Sequence, residues 1–468
     1  MSSLLVSSLL HRPLLPLPFK RSLSTAYSFG TSLHGALGIE SHASGLDHIV
    51  SQPVLTNVHS ASAGWGHSIY LRKDGSLFIT GKPHEFQSLL RINRLPRIVA
   101  KGLSWLNNLG AREDKKLEKS FQSLTPQPIK FPFTPQIITA SAGLTAIICT
   151  SGQLYTFGIN NFGQCGVGEN SNNVWEPERV LGLHSECGRP VVERDLNEGK
   201  KEEMINLGCE APITSVSLGL QHGICSNSLG HVYTWGKGER GQLGLFGEGG
   251  NVCYGSRVRF VRGGREDDVE IEKVESGVNH CAAMERGRRV VWVWGKFMGP
   301  PEVPEVNEDT EDDDDDEVEV EVDRATDAFL SQKFEFEAKV KEMKCGSHQT
   351  AVLLNDNSVW AKGILKNGGG LTEYEFVKVV QFENDRSVEL HGGHQLVLVV
   401  DGKEAYYIEL QAPEIEIDEE GNEIATNSSF MPVDFLPEGF DEQIVGVETG
   451  WRQGMVLVDD NVVPEKNN

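Results

Sequence analysis

The residues of this chain that most suggest chemistry are three histidines that recur in similar surroundings. His67, His222 and His280 each lie three residues after a glycine and open a short apolar stretch. A histidine beside a carboxylate or a metal ion can act as a general acid or base. The corresponding positions of later copies of the pattern carry glutamine, at Gln349, Gln395 and Gln453. A position that accepts either side chain requires a hydrogen bond rather than a proton transfer, so we interpret these residues as structural.

Other catalytic patterns are missing from the sequence. It contains no P-loop, no dinucleotide-binding glycine pattern tied to a βαβ unit, and no Cys-x-x-Cys or His-x-x-x-His spacing. Cys149, Cys225 and Cys281 lie in predicted inner strands, where a thiol acts as a small hydrophobic group. This use of cysteine favours a reducing compartment over secretion. We therefore expect no catalytic residue, no cofactor and no metal, and we expect that the protein is not an enzyme.

The histidines belong to a repeat that occurs seven times. Its pattern is a strand, a glycine, a polar residue three places later, a second strand, a turn, a third strand and a closing glycine. In the second copy Ala146 takes the place of the histidine. The copies begin at Gly64, Gly143, Gly219, Gly277, Gly346, Gly392 and Gly450. A unit of this size cannot bury its own apolar face, so the copies must pack side by side.

The two ends of the chain complement each other. The seventh copy starts at Gly450 and the chain ends before its last strand, whereas an unpaired strand and glycine, Ala26 to Gly30, stand near the N-terminus. Pairing the two removes the open sheet edges of a linear array. The sequence therefore predicts an all-β fold: a seven-bladed β-propeller closed by an N-terminal strand that pairs with the C-terminal blade, over residues 26–459.

Two segments carry a recognisable signature. They are Tyr155-Thr-Phe-Gly-Ile-Asn-Asn-Phe-Gly-Gln-Cys-Gly166 and Tyr233-Thr-Trp-Gly-Lys-Gly-Glu-Arg-Gly-Gln-Leu-Gly244. With them the chain resembles the regulator-of-chromosome-condensation repeat family, whose members are seven-bladed propellers. The resemblance covers roughly residues 26–459, although blades four to seven have lost the Gly-Gln-Leu-Gly tail.

The N-terminal segment has the composition of a targeting sequence. Residues 1–25 contain Arg12, Lys20 and Arg21, are rich in serine and leucine, and precede the first acidic residue, Glu40. This composition is typical of a mitochondrial presequence. We expect import into the mitochondrial matrix; the alternatives are a plastid presequence or a disordered tail on a cytoplasmic protein. Residues 460–468 form a polar tail.

A basic insertion separates the first blade from the second, at residues 82–136. It contains ten lysines or arginines and four acidic residues in a chain of net charge −24. One interpretation is an arm that contacts a protein partner or RNA. The alternative is a solvated loop with a small packed helix. The residues that would contact a partner are Arg91, Arg94, Arg97, Lys101 and Trp105.

A second insertion, at residues 296–339, contains the acidic run 302–323. The run has fourteen aspartates or glutamates and no basic residue. Such a block repels itself and is expected to be disordered. It would mimic a polyanion, shield a basic surface, or only increase solubility.

Three classes of function remain. The first is a non-catalytic interaction scaffold, since the resemblance implies that related organellar propellers support ribosome, RNA or respiratory-complex assembly. The second is guanine-nucleotide exchange on a small or dynamin-like GTPase, because exchange is the activity of the family's founding member; the turn residues Asn160, Asn161, Glu239 and Arg240 would face such a partner. The third is nucleic-acid or chromatin binding, which the net negative charge disfavours.

The sequence has no apolar run long enough to span a membrane, and we expect a monomer.

Overall fold

The structure is a computed structural model of the 468-residue chain. It describes residues 24–30, 36–38, 53–81, 125–183, 211–245, 250–262, 265–266, 269–296, 331–363, 375–408, 414–417, 423–426, 430–433, 436, 442–450 and 453–460. Every regular element in these ranges is a β-strand, as the sequence predicts for an all-β fold. The described residues contain no helix that is long and apolar enough to cross a membrane.

The strands form antiparallel sheets that follow one another along the chain. The first strand is β1 (Ser24–Gly30). Sheet 1 contains β2 (Leu55–Ala63), β3 (His67–Arg72), β4 (Leu77–Gly81) and β5 (Gln127–Ile129). Sheet 2 contains β6 (Pro135–Ser141), β7 (Leu144–Cys149), β8 (Leu154–Ile159) and β9 (Asn173–Arg179). Sheet 3 contains β10 (Ile213–Leu218), β11 (His222–Asn227), β12 (Val232–Gly236) and β13 (Val252–Arg257).

The later sheets repeat this order. A short hairpin, β14 (Val261–Arg262) and β15 (Arg265–Glu266), precedes sheet 4. Sheet 4 contains β16 (Ile271–Ser276), β17 (His280–Glu285), β18 (Val290–Gly295) and β19 (Gln332–Glu335). Sheet 5 contains β20 (Val340–Cys345), β21 (Gln349–Leu354), β22 (Ser358–Gly363) and β23 (Val377–Gln381).

Sheet 6 and two further strands complete the chain. Sheet 6 contains β24 (Val388–Gly392), β25 (Leu396–Val400), β26 (Glu404–Ile408) and β29 (Phe430–Pro432), and the hairpin β27 (Glu414–Ile417) and β28 (Glu423–Thr426) lies between its last two strands in sequence. The last two strands are β30 (Ile444–Thr449) and β31 (Gln453–Asp459).

The two ends of the chain meet in one sheet. β1 lies between β31 and β2, so the strands β30, β31 and β1, which we call the terminal strands, are continuous with sheet 1. All seven residues of β1 pair with β31, from Ser24 with Asp459 to Gly30 with Gln453. The predicted pairing of an N-terminal strand with the C-terminal repeat is thus present in the structure.

The hydrophobic core lies between neighbouring sheets. The second strands are short and apolar, and every residue of β7 is buried, as the continuous apolar pattern predicts. Separate clusters of buried residues join sheets 1 to 3, 3 to 4, 4 to 5, 5 to 6, sheet 6 to the terminal strands, and the terminal strands to sheet 1. In each sheet the first strand contacts the first strand of the next, and β30 contacts β2.

Backbone hydrogen bonds also connect the loops between first and second strands. In sheets 1, 3, 4, 5 and 6 a residue just after the loop glycine donates its amide hydrogen to the carbonyl oxygen of a residue at the equivalent turn of the next repeat. The bonds are Trp65 N to Ala142 O, 2.9 Å, Leu220 N to Val278 O, 3.3 Å, Val278 N to Ser347 O, 3.0 Å, Ser347 N to His394 O, 2.9 Å, and His394 N to Thr449 O, 2.7 Å. We call this set of bonds the loop belt.

Steric contacts explain why a glycine closes the third strand. A Cβ atom at Gly81 would lie 2.3 Å from Gly66 O, and one at Gly236 would lie 2.5 Å from Gln221 O. Both residues also have positive φ angles, +79° and +99°. Only glycine permits this backbone conformation and this close approach together.

Three details of the sequence interpretation differ from the structure. Leu144, not Ala146, occupies the histidine position of sheet 2, because Leu144 pairs with Gly158 as His67 pairs with Gly81. The three-residue spacing from Gly143 therefore predicts the wrong residue. Residues 127–129 and 135–141 are strands, so the sheets include the end of the segment 82–136. In the same way β19 lies within the segment 296–339.

The hairpin β27–β28 is an insertion that the sequence interpretation did not anticipate. Its signal is the alternation Glu414-Ile-Glu-Ile417 before a turn-forming stretch.

Candidate functional site

The first predicted contact loop follows β8 and includes Asn160. Asn160 is fully buried. Its side-chain amide donates to Glu169 O at 2.9 Å and to Ser171 Oγ at 3.0 Å, and its Oδ1 accepts from Cys165 N at 2.9 Å. The side chain of Asn160 thus organises its own loop, and a direct contact of Asn160 with a partner stays a prediction.

The other described contact candidates are accessible and lie near each other. Glu239 is exposed and pairs with Lys237 at 2.9 Å, while Asn161 and Arg240 are half-buried. The Lys237 ammonium lies 4.7 Å from the centre of the Phe162 ring, which joins the two loops. The structure thus brings the predicted loops of sheets 2 and 3 together and leaves Glu239 exposed.

The Gly-Gln-x-Gly part of each loop binds the next sheet. Gln164 O accepts a hydrogen bond from Trp235 Nε1 at 2.8 Å, and Gln242 O accepts one from Trp294 Nε1 at 3.0 Å. The final glycine of the first loop packs on the same indole, since a Cβ at Gly166 would lie 2.9 Å from Trp235 Cδ1. The family signature is therefore a clamp between sheets, and we call this contact the tryptophan clamp.

The recurring histidines also join neighbouring sheets, as their structural interpretation predicts. His67 Nε2 lies 2.9 Å from Thr145 Oγ1, His222 Nε2 lies 3.2 Å from Cys281 Sγ, and His280 Nε2 lies 3.0 Å from Thr350 Oγ1. Burial lowers the pKa of His222 to about 4 and that of His280 to about 3. Both side chains are neutral near pH 7, and each binds the sheet that follows it.

One buried residue escaped the sequence interpretation. Lys362 pairs with Thr350 in the position that Trp235 occupies opposite Gly223. It is only 1% exposed, and its ammonium lies 5.0 Å from the centre of the Phe334 ring. Sheet 5 therefore has a buried cation where sheets 3 and 4 have the indole of a tryptophan clamp.

A cluster of charges lies on the first strands of sheets 4 and 5 and on β30. Lys273 Nζ lies 3.2 Å from Glu275 Oε1 and is hydrogen-bonded to Glu342. Lys344 Nζ lies 3.4 Å from Glu275 Oε1, and Glu448 on β30 is close enough for Lys344 and Ser62 to lower the pKa of its carboxyl group. We call these five charged residues the channel cluster, because the first strands of a propeller surround its central channel.

The pKa values within the channel cluster diverge. Glu275 raises the pKa of Lys344, which is therefore charged at neutral pH. Burial raises the pKa of Glu342, but Lys273 and Lys344 outweigh this effect and lower it overall. Burial raises the pKa of Glu448 to about 7, with a contribution from Glu275, although Lys344, Lys273 and Ser62 act in the opposite direction. Glu448 is thus the member that titrates near neutrality.

Serine side chains extend this network to the other sheets. Ser62 Oγ accepts from Ala140 N at 3.0 Å, so its hydroxyl hydrogen can be donated to Glu448. At the equivalent position of sheet 3, Ser217 Oγ accepts from Ser276 N at 3.0 Å. The polar residues of the first strands thus serve contacts between sheets.

Several predictions fall outside the described residues. These are the basic candidates Arg91, Arg94, Arg97, Lys101 and Trp105, the acidic run 302–323, and residues 1–23 of the presequence. Within the described ranges no group of histidine, cysteine and acidic residues could hold a metal ion.

The repeats of the chain match a known family model. The model of the regulator of chromosome condensation (RCC1) repeat matches residues 151–193 and 230–284, which include both Gly-Gln-x-Gly loops. This chain contains divergent RCC1 repeats. The match ends within sheet 4, before Trp294, and does not extend to sheet 5, where Lys362 stands in the position of the indole.

Known proteins resemble this RCC1-repeat chain over different lengths. The ultraviolet-B receptor UVR8 of Arabidopsis thaliana is 27% identical over 215 residues, which are 40% of this chain and 46% of the receptor. The probable E3 ubiquitin-protein ligase HERC6 of Homo sapiens is 24% identical over 212 residues, which are 45% of this chain and 17% of the ligase. The matches span less than half of the length of these two relatives.

Solved structures agree with the RCC1 fold. Human WBSCR16 superposes with a TM-score of 0.59 and 16% identity, covering 93% of this chain and 99% of WBSCR16. Prp20p from Saccharomyces cerevisiae, described with its binding to Gsp1p and histones, gives a TM-score of 0.57 and 16% identity over 94% of this chain and 92% of Prp20p. At this identity the likeness concerns the fold, a β-propeller.

Proposed function

We propose that this RCC1-repeat protein is a non-catalytic scaffold, a closed seven-bladed propeller that binds protein partners through its loops. Sheets 1 to 6 and the terminal strands, taken as a group of their own, make seven groups of strands, one for each repeat. Support for closure comes from β1, which lies between β31 and β2, and from Gln453 Nε2, which donates to His67 O at 3.1 Å. A closed ring has few open edges and presents its loops at fixed positions.

The observation that carries the scaffold proposal is the use of the recurring polar side chains. The histidines, Asn160 and the channel cluster are occupied by contacts within or between sheets. The buried histidines are neutral near pH 7, so they are poorly placed to exchange protons with a substrate. The polar residues thus maintain a rigid framework, and the exposed loops remain available for partners.

The scaffold proposal is tested by affinity purification of the tagged full-length protein from its own organism, followed by quantitative mass spectrometry. The variant Glu239→Lys reverses an exposed charge on the two joined loops. Glu335→Lys is the matched control, because Glu335 is an exposed glutamate on the outer strand β19. We expect Glu239→Lys to lose a subset of partners that Glu335→Lys keeps. Equal recovery by both variants would show that partners bind elsewhere.

Guanine-nucleotide exchange is the second candidate function. It is supported by the fold shared with Prp20p, which binds Gsp1p, and by the charged, accessible loop at Glu239. Exchange factors displace nucleotide by binding the GTPase, so they require no nucleophile. The release of fluorescent GDP from candidate GTPases, with and without the protein, tests this activity. Acceleration that Glu239→Lys abolishes would replace the scaffold by an exchange factor.

The mitochondrial matrix remains the proposed location, on the evidence of the acid-free basic segment 1–25. A fluorescent reporter fused behind residues 1–35 should enter mitochondria and be processed near Arg21. β1 begins at Ser24, so such cleavage preserves the strand. A cytosolic, plastid or secreted reporter would contradict this location.

The basic insertion remains a proposed contact for a protein partner in ribosome, RNA or respiratory-complex assembly, or for RNA itself. Arg91, Arg94, Arg97 and Lys101 would be changed to glutamate together, and Trp105 to alanine separately. We expect both variants to fold and to lose partners in the same purification. Unchanged recovery, with RNA included among the measured partners, would identify the insertion as a solvated loop.

A further inference from the structure

Three aromatic side chains meet where sheet 1 is connected to sheet 2. Phe131 and Phe133 lie in the connection from β5 to β6, and Tyr155 lies on β8. The Phe133 ring is stacked on the Tyr155 ring, with 5.1 Å between the ring centres and 29° between the planes. The Phe131 ring stands at a steep angle to both, 5.8 Å from Phe133 and 5.3 Å from Tyr155. We call these three residues the aromatic platform.

The aromatic platform presents one ring to solvent and holds the other two in place. Phe133 is 44% exposed, whereas Tyr155 is buried. The Tyr155 hydroxyl donates to Gln153 Oε1 at 3.0 Å, and Phe131 packs against the buried cluster that joins sheets 1 to 3. Because Tyr155 covers one face of the Phe133 ring, the exposed surface of that ring lies chiefly on its other face. The platform thus offers a flat, fixed aromatic face to a ligand.

Two cations flank the aromatic platform. Lys130 directly precedes Phe131 in the chain and is exposed. Arg179 on β9 lies directly opposite Tyr155 on β8, and side chains in this relation share one face of the sheet, with Cβ atoms about 5 Å apart. Among the residues that the structure describes, neither cation forms an ion pair or a side-chain hydrogen bond. Both charges are therefore available to an anionic ligand.

The acidic residues nearby do not neutralise these cations. Glu178 precedes Arg179 on β9 and lies opposite Thr156, so it points to the other face of the sheet. Asp74, in the turn between β3 and β4, accepts hydrogen bonds from the amide of Ser76, at 2.8 Å, and from its hydroxyl. The platform is thus a locally basic surface in a chain whose net charge is −24.

We propose that the aromatic platform binds one nucleotide of a single-stranded nucleic acid, with the base stacked on Phe133 and the adjoining phosphates on Lys130 and Arg179. Every base has a flat π-face, so stacking on an aromatic ring accepts any sequence. Lysine and arginine both bind phosphate oxygens. The bases of a single strand are free to leave their neighbours, whereas those of a duplex are stacked and paired.

This site deepens the RNA contact proposed above for the basic insertion, and it rests on that proposal for its place in the function of the protein. The insertion rejoins the described strands at β5, whose last residue, Ile129, directly precedes Lys130. The ligand is chosen by the chemistry of the surface. A proline-rich peptide docks on aromatic rings but brings no anion for the two cations. An acidic peptide brings the anion but not the flat ring, whereas a nucleotide supplies both.

The test is the affinity of the full-length protein for a fluorescently labelled uridine oligonucleotide of about 15 residues, measured by anisotropy. Phe133→Ala should weaken binding by about 5- to 150-fold, the range for loss of one base stack, and Phe133→Tyr should restore it. Leu229→Ala is the matched control, because Leu229 is the other large hydrophobic residue that the structure describes as exposed, at 51%. It should bind as the wild type does. Equal affinity of Phe133→Ala and the wild type would overturn the proposal.

The salt dependence of binding tests the two cations. Each phosphate contact to a single strand contributes about −0.7 to the slope of the logarithm of affinity against the logarithm of salt concentration. Lys130→Gln and Arg179→Gln should therefore each reduce the slope by about 0.7. Lys378→Gln, which changes an exposed lysine on β23, is the control and should leave the slope in place. An unchanged slope in both platform variants would also overturn the proposal.

Two further ligands identify what the platform recognises. A deoxythymidine oligonucleotide of the same length separates the sources of a single strand: tighter binding of the RNA assigns the site to RNA, and tighter binding of the DNA assigns it to single-stranded DNA. A polyproline peptide separates the classes of partner. If that peptide binds in a manner that depends on Phe133, while neither oligonucleotide does, the platform is a peptide site and the proposal is overturned.

The variant with glutamate at Arg91, Arg94, Arg97 and Lys101 distinguishes failure of this site from failure of the proposed RNA contact of the insertion. If Phe133→Ala alone loses affinity, the stacking site stands and the insertion makes no contact. If the glutamate variant alone loses affinity, the insertion binds the strand and the stacking site is overturned.

Discussion

The two halves of the molecule use different interactions to join equivalent sheets. Between sheets 2 and 3, and between sheets 3 and 4, a tryptophan clamp connects each Gly-Gln-x-Gly loop to the following sheet. Between sheets 4 and 5 the indole is replaced by Lys362, and ion pairs such as Lys344 with Glu275 cross the boundary. The loop belt is present in both halves.

This difference shows which interactions the architecture itself requires. The loop belt uses only backbone atoms, so it survives when side chains change. The tryptophan clamp involves third strands, whereas the ion pairs between sheets 4 and 5 involve first strands. The RCC1 repeat model matches both Gly-Gln-x-Gly loops and no residue of sheet 5. Sheet 5 nevertheless has the same strand order as sheets 3 and 4.

The largest loss of stability is expected from removal of β1, the strand that pairs with both β31 and β2. Deleting residues 26–38 removes most of β1, including the buried Ala26 and Phe29, and exposes the edges of β31 and β2. We expect loss of cooperative unfolding, or a decrease of at least about 5 kcal/mol in the free energy of unfolding, because each large buried side chain contributes about 3–5 kcal/mol. Chemical denaturation followed by tryptophan fluorescence measures it.

An unchanged midpoint of unfolding in this truncation would rule out closure by β1. Deleting residues 461–468, which follow the last described strand, is the matched control and should leave the midpoint in place.

The next largest effect should come from the clamp half. Trp235→Ala removes a fully buried indole and leaves Gln164 O without its donor. We expect a loss of about 3–5 kcal/mol in the free energy of unfolding. Trp360→Ala in sheet 5 is the comparison, because Trp360 is half-buried and its Nε1 donates to the nearby Ser358 Oγ. That loss should be clearly smaller, and equal losses would remove the contrast between the halves.

The buried histidines predict that the stability of the fold depends on pH. His222 and His280 have pKa values of about 4 and about 3, lowered mainly by burial from 6.5. Unfolded histidine binds a proton more readily, so stability is complete above pH 6.5 and falls as pH drops toward 4, by about 1.4 kcal/mol per pH unit for each residue. Urea denaturation at several pH values measures this slope.

Substituting His280 by glutamine should flatten the slope by the contribution of one proton. Glutamine already occupies the corresponding position in sheet 5, at Gln349, which opens β21 as His280 opens β17. A slope that is identical in His280→Gln and in the wild type would mean that another group causes the acid sensitivity.

The smallest effect on stability should come from the surface. Glu239→Lys changes an exposed residue whose ion pair with Lys237 is solvated, so the free energy of unfolding should change by less than about 0.5 kcal/mol. Any loss of partners by this variant can then be assigned to the loop rather than to unfolding. A larger destabilisation would indicate that the loop supports the sheets and is not a free surface.

Much of the fold was predictable from particular residues. The recurring glycines located the first turns, and the unmatched strand near Ala26 predicted its pairing with the C-terminal repeat, which the structure contains. The candidate site was less predictable. Asn160 has the polarity of a surface residue, and only its three internal hydrogen bonds show that it organises its own loop.

The sequence by itself determined the all-β class, the repeat and the pairing of the chain ends, because these depend on local periodicity and on strands that lack a partner. Tertiary structure alone decided that Leu144 takes the histidine position, that Lys362 replaces a clamp tryptophan, and that Lys344 pairs with Glu275. These contacts join residues that are far apart in the chain. Their energies depend on burial and on neighbouring charges, which no local pattern records.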